Sequence, residues 1–104
     1  MIITHIQYTV RAEYVAKNQE YIHQILEGLR ALGRTDIGSS IFVAEDGKTF
    51  LHFLFCEHEE AEQTFFQLES LQAWRAALVE SSPEVPLTAP TRLSVVGSTT
   101  KLLW

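Results

Sequence analysis

Residues 37–57 constrain the fold more than any other part of the chain, because they read as a β-hairpin with two apolar faces. Asp46-Gly47 lies between two strand-like runs, and this pair favours a two-residue type I′ turn with Glu45 opposite Lys48. One face then carries Val43/Phe50, Ile41/His52, Ser39/Leu54 and Ile37/Cys56, and the other carries Ala44/Thr49, Phe42/Leu51, Ser40/Phe53 and Gly38/Phe55. An antiparallel sheet with helices on one side normally has a polar outer face. We therefore expect a homodimer in which a second copy of the sheet covers this one.

The segments on either side of the hairpin supply the other elements. Residues 2–11 alternate as a strand, and from Val15 apolar residues recur at helical spacing over about 18 residues, with Gly33 as the C-cap. Residues 58–82 predict a second helix that breaks at Glu69-Ser70, where Ser70 caps its second segment. A last strand follows within residues 88–97.

This order of elements is β-α-β-β-α-β, which predicts a ferredoxin-like α+β fold in a single domain spanning residues 1–104. Right-handed crossovers give a four-stranded antiparallel sheet with two helices on one face. In the dimer, two such sheets would form an α/β barrel.

Composition limits the possible partners and the compartment. The net charge is −5 and only eight residues are Lys or Arg, which argues against nucleic-acid binding. No apolar run approaches the roughly 20 residues that span a bilayer, and residues 1–5 lack a secretory signal. Cys56 is the only cysteine, so no internal disulfide forms, and we expect a cytoplasmic protein with a buried, inert thiol.

Asn18 and His52 are the polar residues that most suggest a site. Asn18 falls on the apolar stripe of the first helix, so its amide is either a structural group or part of a ligand cleft between helix and sheet. His5 and His52 lie in the middle of strands that this topology makes neighbours, and they serve either structural hydrogen bonding or proton transfer. His58 lies in an acidic loop without a second histidine at metal-ligand spacing, so no metal is expected there.

Other side chains could contact a ligand at the same cleft. Tyr8 offers a hydroxyl, and Arg75 either reaches an anionic group or extends into water. The aromatic residues of the predicted cleft are Phe65, Phe66 and Trp74. The sequence has no glycine-rich phosphate loop and no metal-spaced His/Cys set, so no cofactor is expected.

Several motifs resemble those of the antibiotic biosynthesis monooxygenase-like group within the dimeric α/β-barrel superfamily. They are the strand end Tyr8-Thr9-Val10-Arg11, the helix with Asn18 and Ile22, the Asp46-Gly47 hairpin, and Gln67-Leu68-Glu69-Ser70 followed by Ala73-Trp74. The resemblance implies oxidation of polycyclic aromatics or quinols without metal or flavin, or haem degradation. Haem-degrading members have a histidine where this chain has Gln67, and a strand asparagine where it has Ile6. Gln67 is retained as a candidate substrate contact.

These observations leave three hypotheses. The first is a cofactor-independent monooxygenase acting on a small aromatic or quinone-like substrate, with Asn18 and His52 as the catalytic candidates. The second is a non-catalytic small-ligand-binding or stress-associated dimer of the same fold, and the third is a purely structural interaction module.

Overall fold

The computed structural model describes residues 1–102, and the elements follow the order that the sequence predicts. The strands are β1 (Ile2–Thr9), β2 (Ile37–Val43), β3 (Thr49–Cys56) and β4 (Thr91–Leu93), and the helices are α1 (Val15–Leu32), α2 (Glu59–Phe66) and α3 (Glu69–Glu80). The strands form one open antiparallel sheet in the order β2-β3-β1-β4, which confirms the ferredoxin-like fold. No helix in residues 1–102 is long and apolar enough to cross a membrane.

The hairpin has the predicted register but a different turn. Ile41 pairs with His52 and the other predicted pairs follow, so the register is confirmed. Gly47 has a positive φ of 73° whereas Asp46 does not, and a type I′ turn requires a positive φ at both residues. The Asp46 carboxylate instead accepts hydrogen bonds from the backbone N–H groups of Lys48 and Thr49, each 2.8 Å long. The predicted charge pair across the turn is wrong, because Lys48 forms its ion pair with Glu84 at 3.0 Å.

The helical predictions are correct in position and wrong in some details. Helix α1 ends at Gly33, which is left-handed with φ 64° as expected of a C-cap. The second helical region consists of two separate helices, so three helices rather than two accompany the sheet. Leu68, whose side chain packs against the core, has the extended backbone that separates α2 from α3. Ser70 therefore lies inside α3 and does not cap it.

The last strand is shorter than predicted. Thr88 still bonds to β1, because its N–H donates to the carbonyl of Gln7 and its Oγ1 accepts from the Gln7 N–H. Pro90 follows and has no N–H to continue the ladder. Strand β4 covers only Thr91–Leu93.

The sheet is apolar on both faces, as the hairpin pattern predicts. Alternate residues of β3 are buried on the helix side, where Phe50, His52, Leu54 and Cys56 lie. The opposite side, which we call the open face, carries His5, Phe42, Leu51, Phe53 and Phe55. On it the Phe53 ring packs against His5 and Phe42, with centroids 4.9 and 5.8 Å away, and Phe42 remains 56% exposed.

Candidate functional site

A cavity lies between the helices and the inner face of the sheet. Its lining is mostly apolar and aromatic and consists of Thr4, Ile6, Ile25, Ser39, His52, Phe53, Leu54, Phe65, Phe66, Leu71, Trp74, Arg75 and Pro90. Its volume is about 30 Å³, which accommodates a water-sized group and not an aromatic molecule. Phe66, Arg75 and Pro90 are exposed, so they mark the side on which the cavity faces solvent.

One wall of the cavity is backed by a buried hydrogen-bond chain of four side chains, Trp74, Asn18, Tyr8 and His52. Trp74 Nε1–H donates to Asn18 Oδ1 at 3.2 Å, and Asn18 Nδ2 donates to Tyr8 Oη at 2.9 Å. Tyr8 Oη lies 2.8 Å from His52 Nε2. The His52 ring also packs against Trp74 with centroids 5.0 Å apart. The chain joins α3, α1, β1 and β3 and fixes the orientation of the imidazole at the cavity wall.

Burial keeps both titratable members of this chain neutral at neutral pH. The pKa of His52 falls from 6.5 to about 4, mainly because burial disfavours the imidazolium and secondarily because of His5. Burial also raises the pKa of Tyr8 well above its usual value, against the opposing effect of its hydrogen bonds. The buried hydrogen-bond chain therefore presents neutral hydrogen-bonding groups rather than charges.

The structure brings some of the predicted site residues to the cavity and leaves others away from it. His52, Phe65, Phe66, Trp74 and Arg75 line the cavity. Asn18 and Tyr8 are fully buried and do not line the cavity, and they are hydrogen-bonded to each other behind it. Gln67 is exposed at the end of α2 and does not line the cavity.

The two strand histidines do not meet. His5 pairs with Phe53 while Ile6 pairs with His52, so their side chains point to opposite faces of the sheet. The two imidazoles therefore do not contact each other directly, although they lie on neighbouring strands. Cys56 is buried and its thiol pKa is raised to about 11, mainly by burial, as expected of an inert thiol.

Sequence reasoning missed eight lining residues, which are Thr4, Ile6, Ile25, Ser39, Phe53, Leu54, Leu71 and Pro90. The signal for Ser39 was available, because the hairpin register places it beside Leu54 on the same face as His52. Pro90 reaches the cavity through the long connection after α3, and no sequence pattern predicts that path.

Asp36, His58 and Glu60 bring ligand-type atoms within 4.8 Å of one another at the surface. The Arg34 guanidinium already bonds both carboxylates, at 2.6 Å each, and its hydrogen bonds hold the pKa of Glu60 down to about 2. His58 Nδ1 accepts a hydrogen bond from the Ala61 N–H and so caps α2. The Arg34 guanidinium and the capping role of His58 thus explain why these three side chains lie close together, and no metal is needed to explain it.

The structure is similar to solved monooxygenases, although no family model and no curated protein matches the sequence. An antibiotic biosynthesis monooxygenase superposes with a TM-score of 0.76 at 12% identity, over 93% of this chain and all (100%) of that one. A mutant of SnoaB, a cofactor-independent oxygenase from Streptomyces nogalater, gives 0.71 at 8% identity, over 96% and 97%. The ActVA-Orf6 monooxygenase of Streptomyces coelicolor, in complex with nanaomycin D, gives 0.64 at 14% identity, over 97% and 92%. The chain therefore has the fold of the antibiotic biosynthesis monooxygenase-like group, as the resemblance of its motifs predicted.

Proposed function

We propose that this protein is a cofactor-independent monooxygenase that binds a small aromatic or quinone-like substrate in the cavity. The observation that carries the proposal is the lining itself. Phe65, Phe66 and Trp74 supply aromatic surface, and His52 supplies a neutral polar group held in place from behind. The similar fold of a cofactor-independent oxygenase supports the same chemistry.

Substrate binding requires the cavity to widen. A volume of about 30 Å³ is far below the several hundred Å³ of typical ligand sites. Phe66 is 37% exposed and Arg75 is exposed, so both side chains can turn outward with little loss of buried contact. Once turned, the Arg75 guanidinium can pair with an anionic substituent of the substrate.

The substrate itself must supply the electrons, because O₂ is the only other reactant. A methylene group between two aromatic rings satisfies this condition, as in R₂CH₂ + O₂ → R₂C=O + H₂O. The carbon loses two hydrogens and four electrons. One oxygen atom stays in the product carbonyl and the other leaves as water. The apolar lining suits the flat hydrocarbon part of such a molecule.

Oxygen consumption and product mass test the proposal. We would incubate the protein with anthrone, a tricyclic ketone with one such methylene, and measure O₂ uptake and the quinone formed from ¹⁸O₂. The wild type is expected to form quinone carrying one labelled atom. His52→Phe should lower the rate at least tenfold, while Gln67→Ala, outside the cavity, should match the wild type. Wild-type turnover no faster than the uncatalysed reaction would refute the enzymatic proposal.

A specific observation favours a second candidate, the non-catalytic small-ligand binder. Burial lowers the pKa of His52 to about 4, so its imidazole is a weak base, and burial also keeps the Tyr8 hydroxyl protonated at neutral pH. Binding of anthrone without O₂ uptake would support this second function.

We also propose that a second copy of the chain covers the open face. Phe42 is 56% exposed there, and Leu51, Phe53 and Phe55 are only half buried. Contiguous apolar surface of this kind marks an interface. Analytical ultracentrifugation at micromolar concentration should give a dimer, and Phe42→Glu, on the open face and outside the cavity lining, should shift it to monomer. The control Gln24→Glu, which changes an exposed residue of α1, should leave the dimer intact. A wild-type monomer would contradict the idea.

A further inference from the structure

The buried hydrogen-bond chain has a direction that its own donors and acceptors impose. Trp74 Nε1–H can only donate, so the Asn18 atom facing it must be the oxygen. The Asn18 nitrogen then faces Tyr8 and donates to its oxygen. The hydroxyl proton of Tyr8 is left for the next member, and His52 Nε2 is its hydrogen-bond partner. Nε2 is therefore the acceptor, and a neutral imidazole with this arrangement carries its proton on Nδ1.

The opposite assignment leaves more groups without partners. If Nε2–H donated to Tyr8, the oxygen would receive two donors and its own buried proton would have no acceptor. Nδ1 would also lack a donor, because none of the described residues bonds to it. In the first assignment, each contact of the chain joins one donor to one acceptor. The only N–H group of the His52 ring, at Nδ1, is left without a partner among these four side chains.

The Nδ1–H group of His52 is not among the fully buried groups that lack a partner. The unpaired side-chain atoms that are fully buried in residues 1–102 are His5 Nε2, Tyr14 Oη and Ser70 Oγ. His52 Nδ1 is not among them, and the ring lines the cavity while Tyr8 and Asn18 do not. The cavity is the accessible space that the His52 ring lines, so it is the space that this nitrogen can reach.

We propose that His52 Nδ1–H is a fixed hydrogen-bond donor for an oxygen atom of the bound molecule, and that it selects aromatic ketones and quinones over hydrocarbons of the same shape. This inference rests on the proposed function and deepens it. A hydrogen-bond donor at this position stabilises a ligand that offers a carbonyl oxygen, whereas a hydrocarbon of the same shape leaves the N–H group unpaired. His52 is thereby a donor to the substrate and not the base, because its other nitrogen, Nε2, already accepts the hydrogen bond of the Tyr8 hydroxyl.

Nitrogen NMR of protein with ¹⁵N-labelled histidine tests the tautomer directly and needs no ligand. At pH 7 the His52 signals should show a protonated Nδ1 and an unprotonated Nε2. Tyr8→Phe removes the O–H group that imposes this state, so the fraction protonated at Nε2 should rise. A wild-type ring protonated at Nε2 overturns the inference. A tautomer unchanged by Tyr8→Phe overturns the positioning role of Tyr8.

A matched pair of ligands tests the selection. The bicyclic ketone 1-tetralone and the hydrocarbon tetralin share one skeleton and differ in one carbonyl oxygen. Calorimetric titration of the wild type should favour the ketone about tenfold, the contribution of one hydrogen bond. His52→Phe, with its fold checked by circular dichroism, should bind both equally. Equal wild-type affinities would overturn the inference while leaving aromatic binding intact. Binding of neither would overturn the proposed function and the donor role with it.

Discussion

Asn18→Ala tests the view that this amide is a structural part of the buried hydrogen-bond chain. The change leaves Trp74 Nε1–H buried without an acceptor, which costs about 1–3 kcal/mol. It also removes the donor to Tyr8 Oη, a smaller loss because that hydroxyl keeps its bond to His52. With the void left by the amide, we expect a total loss of about 3 kcal/mol. For a domain of this size the melting temperature should fall by roughly 10–20 °C.

Equilibrium denaturation at one fixed protein concentration measures this loss, since the apparent stability of the proposed dimer would depend on concentration. Gln19→Ala is the control, because Gln19 is an exposed neighbour in the same helix. Adding Trp74→Phe to Asn18→Ala removes the indole N–H that Asn18→Ala leaves without an acceptor. The double variant should therefore lose less free energy of unfolding than the two single variants lose together, by about 1 kcal/mol or more. A loss under about 1 kcal/mol for Asn18→Ala, or additive losses, would refute the reasoning.

Two further predictions concern pH and helix packing. The unfolded chain takes up a proton at His52 below pH 6.5, whereas the folded chain does so only near pH 4, so stability should fall as the pH drops through this range. A pKa difference of about 2.5 corresponds to about 3 kcal/mol of unfolding free energy. His52→Phe should abolish this part of the pH dependence of stability. The same stability profile against pH in wild type and variant would contradict the prediction. An added Cβ at Gly28 would lie 2.9 Å from the buried, unpaired Ser70 Oγ. Gly28→Ala should therefore gain no stability alone but about 1 kcal/mol in a Ser70→Ala background, and equal effects in both backgrounds would argue against the contact.

The sequence predicted features that rest on local periodicity and missed those set by a single side chain. The hairpin register followed from the two-residue period of β2 and β3, although the turn differs because the Asp46 carboxylate organises it. The stripe of α1 placed Asn18 inside the protein correctly. The break between α2 and α3 was predicted at Glu69-Ser70, and the extended backbone that makes it lies one residue earlier, at Leu68.

The site was harder to predict than the fold, because its bonds cross between elements that no short turn connects. Tyr8 and His52 lie 44 positions apart in the sequence. Their contact can be predicted only when the pairing register between β1 and β3 is known. Without that register, the sequence could place Tyr8 in the core but could not identify the hydrogen-bond partner of its hydroxyl group. The open face and its homodimer remain a prediction from the same hairpin pattern.

The buried hydrogen-bond chain also bears on how the protein folds. Its bonds join residues 44 and 56 positions apart as well as a local pair 10 apart, so most of it can form only after large loops have closed. A slip of one residue between β1 and β3 would turn Tyr8 to the open face and leave His52 without its partner. Partly folded or misregistered chains would therefore hold the imidazole in either tautomer. The fixed tautomer thus requires these long-range contacts, and a ligand that binds His52 Nδ1–H should bind the native register of the sheet better than a shifted one.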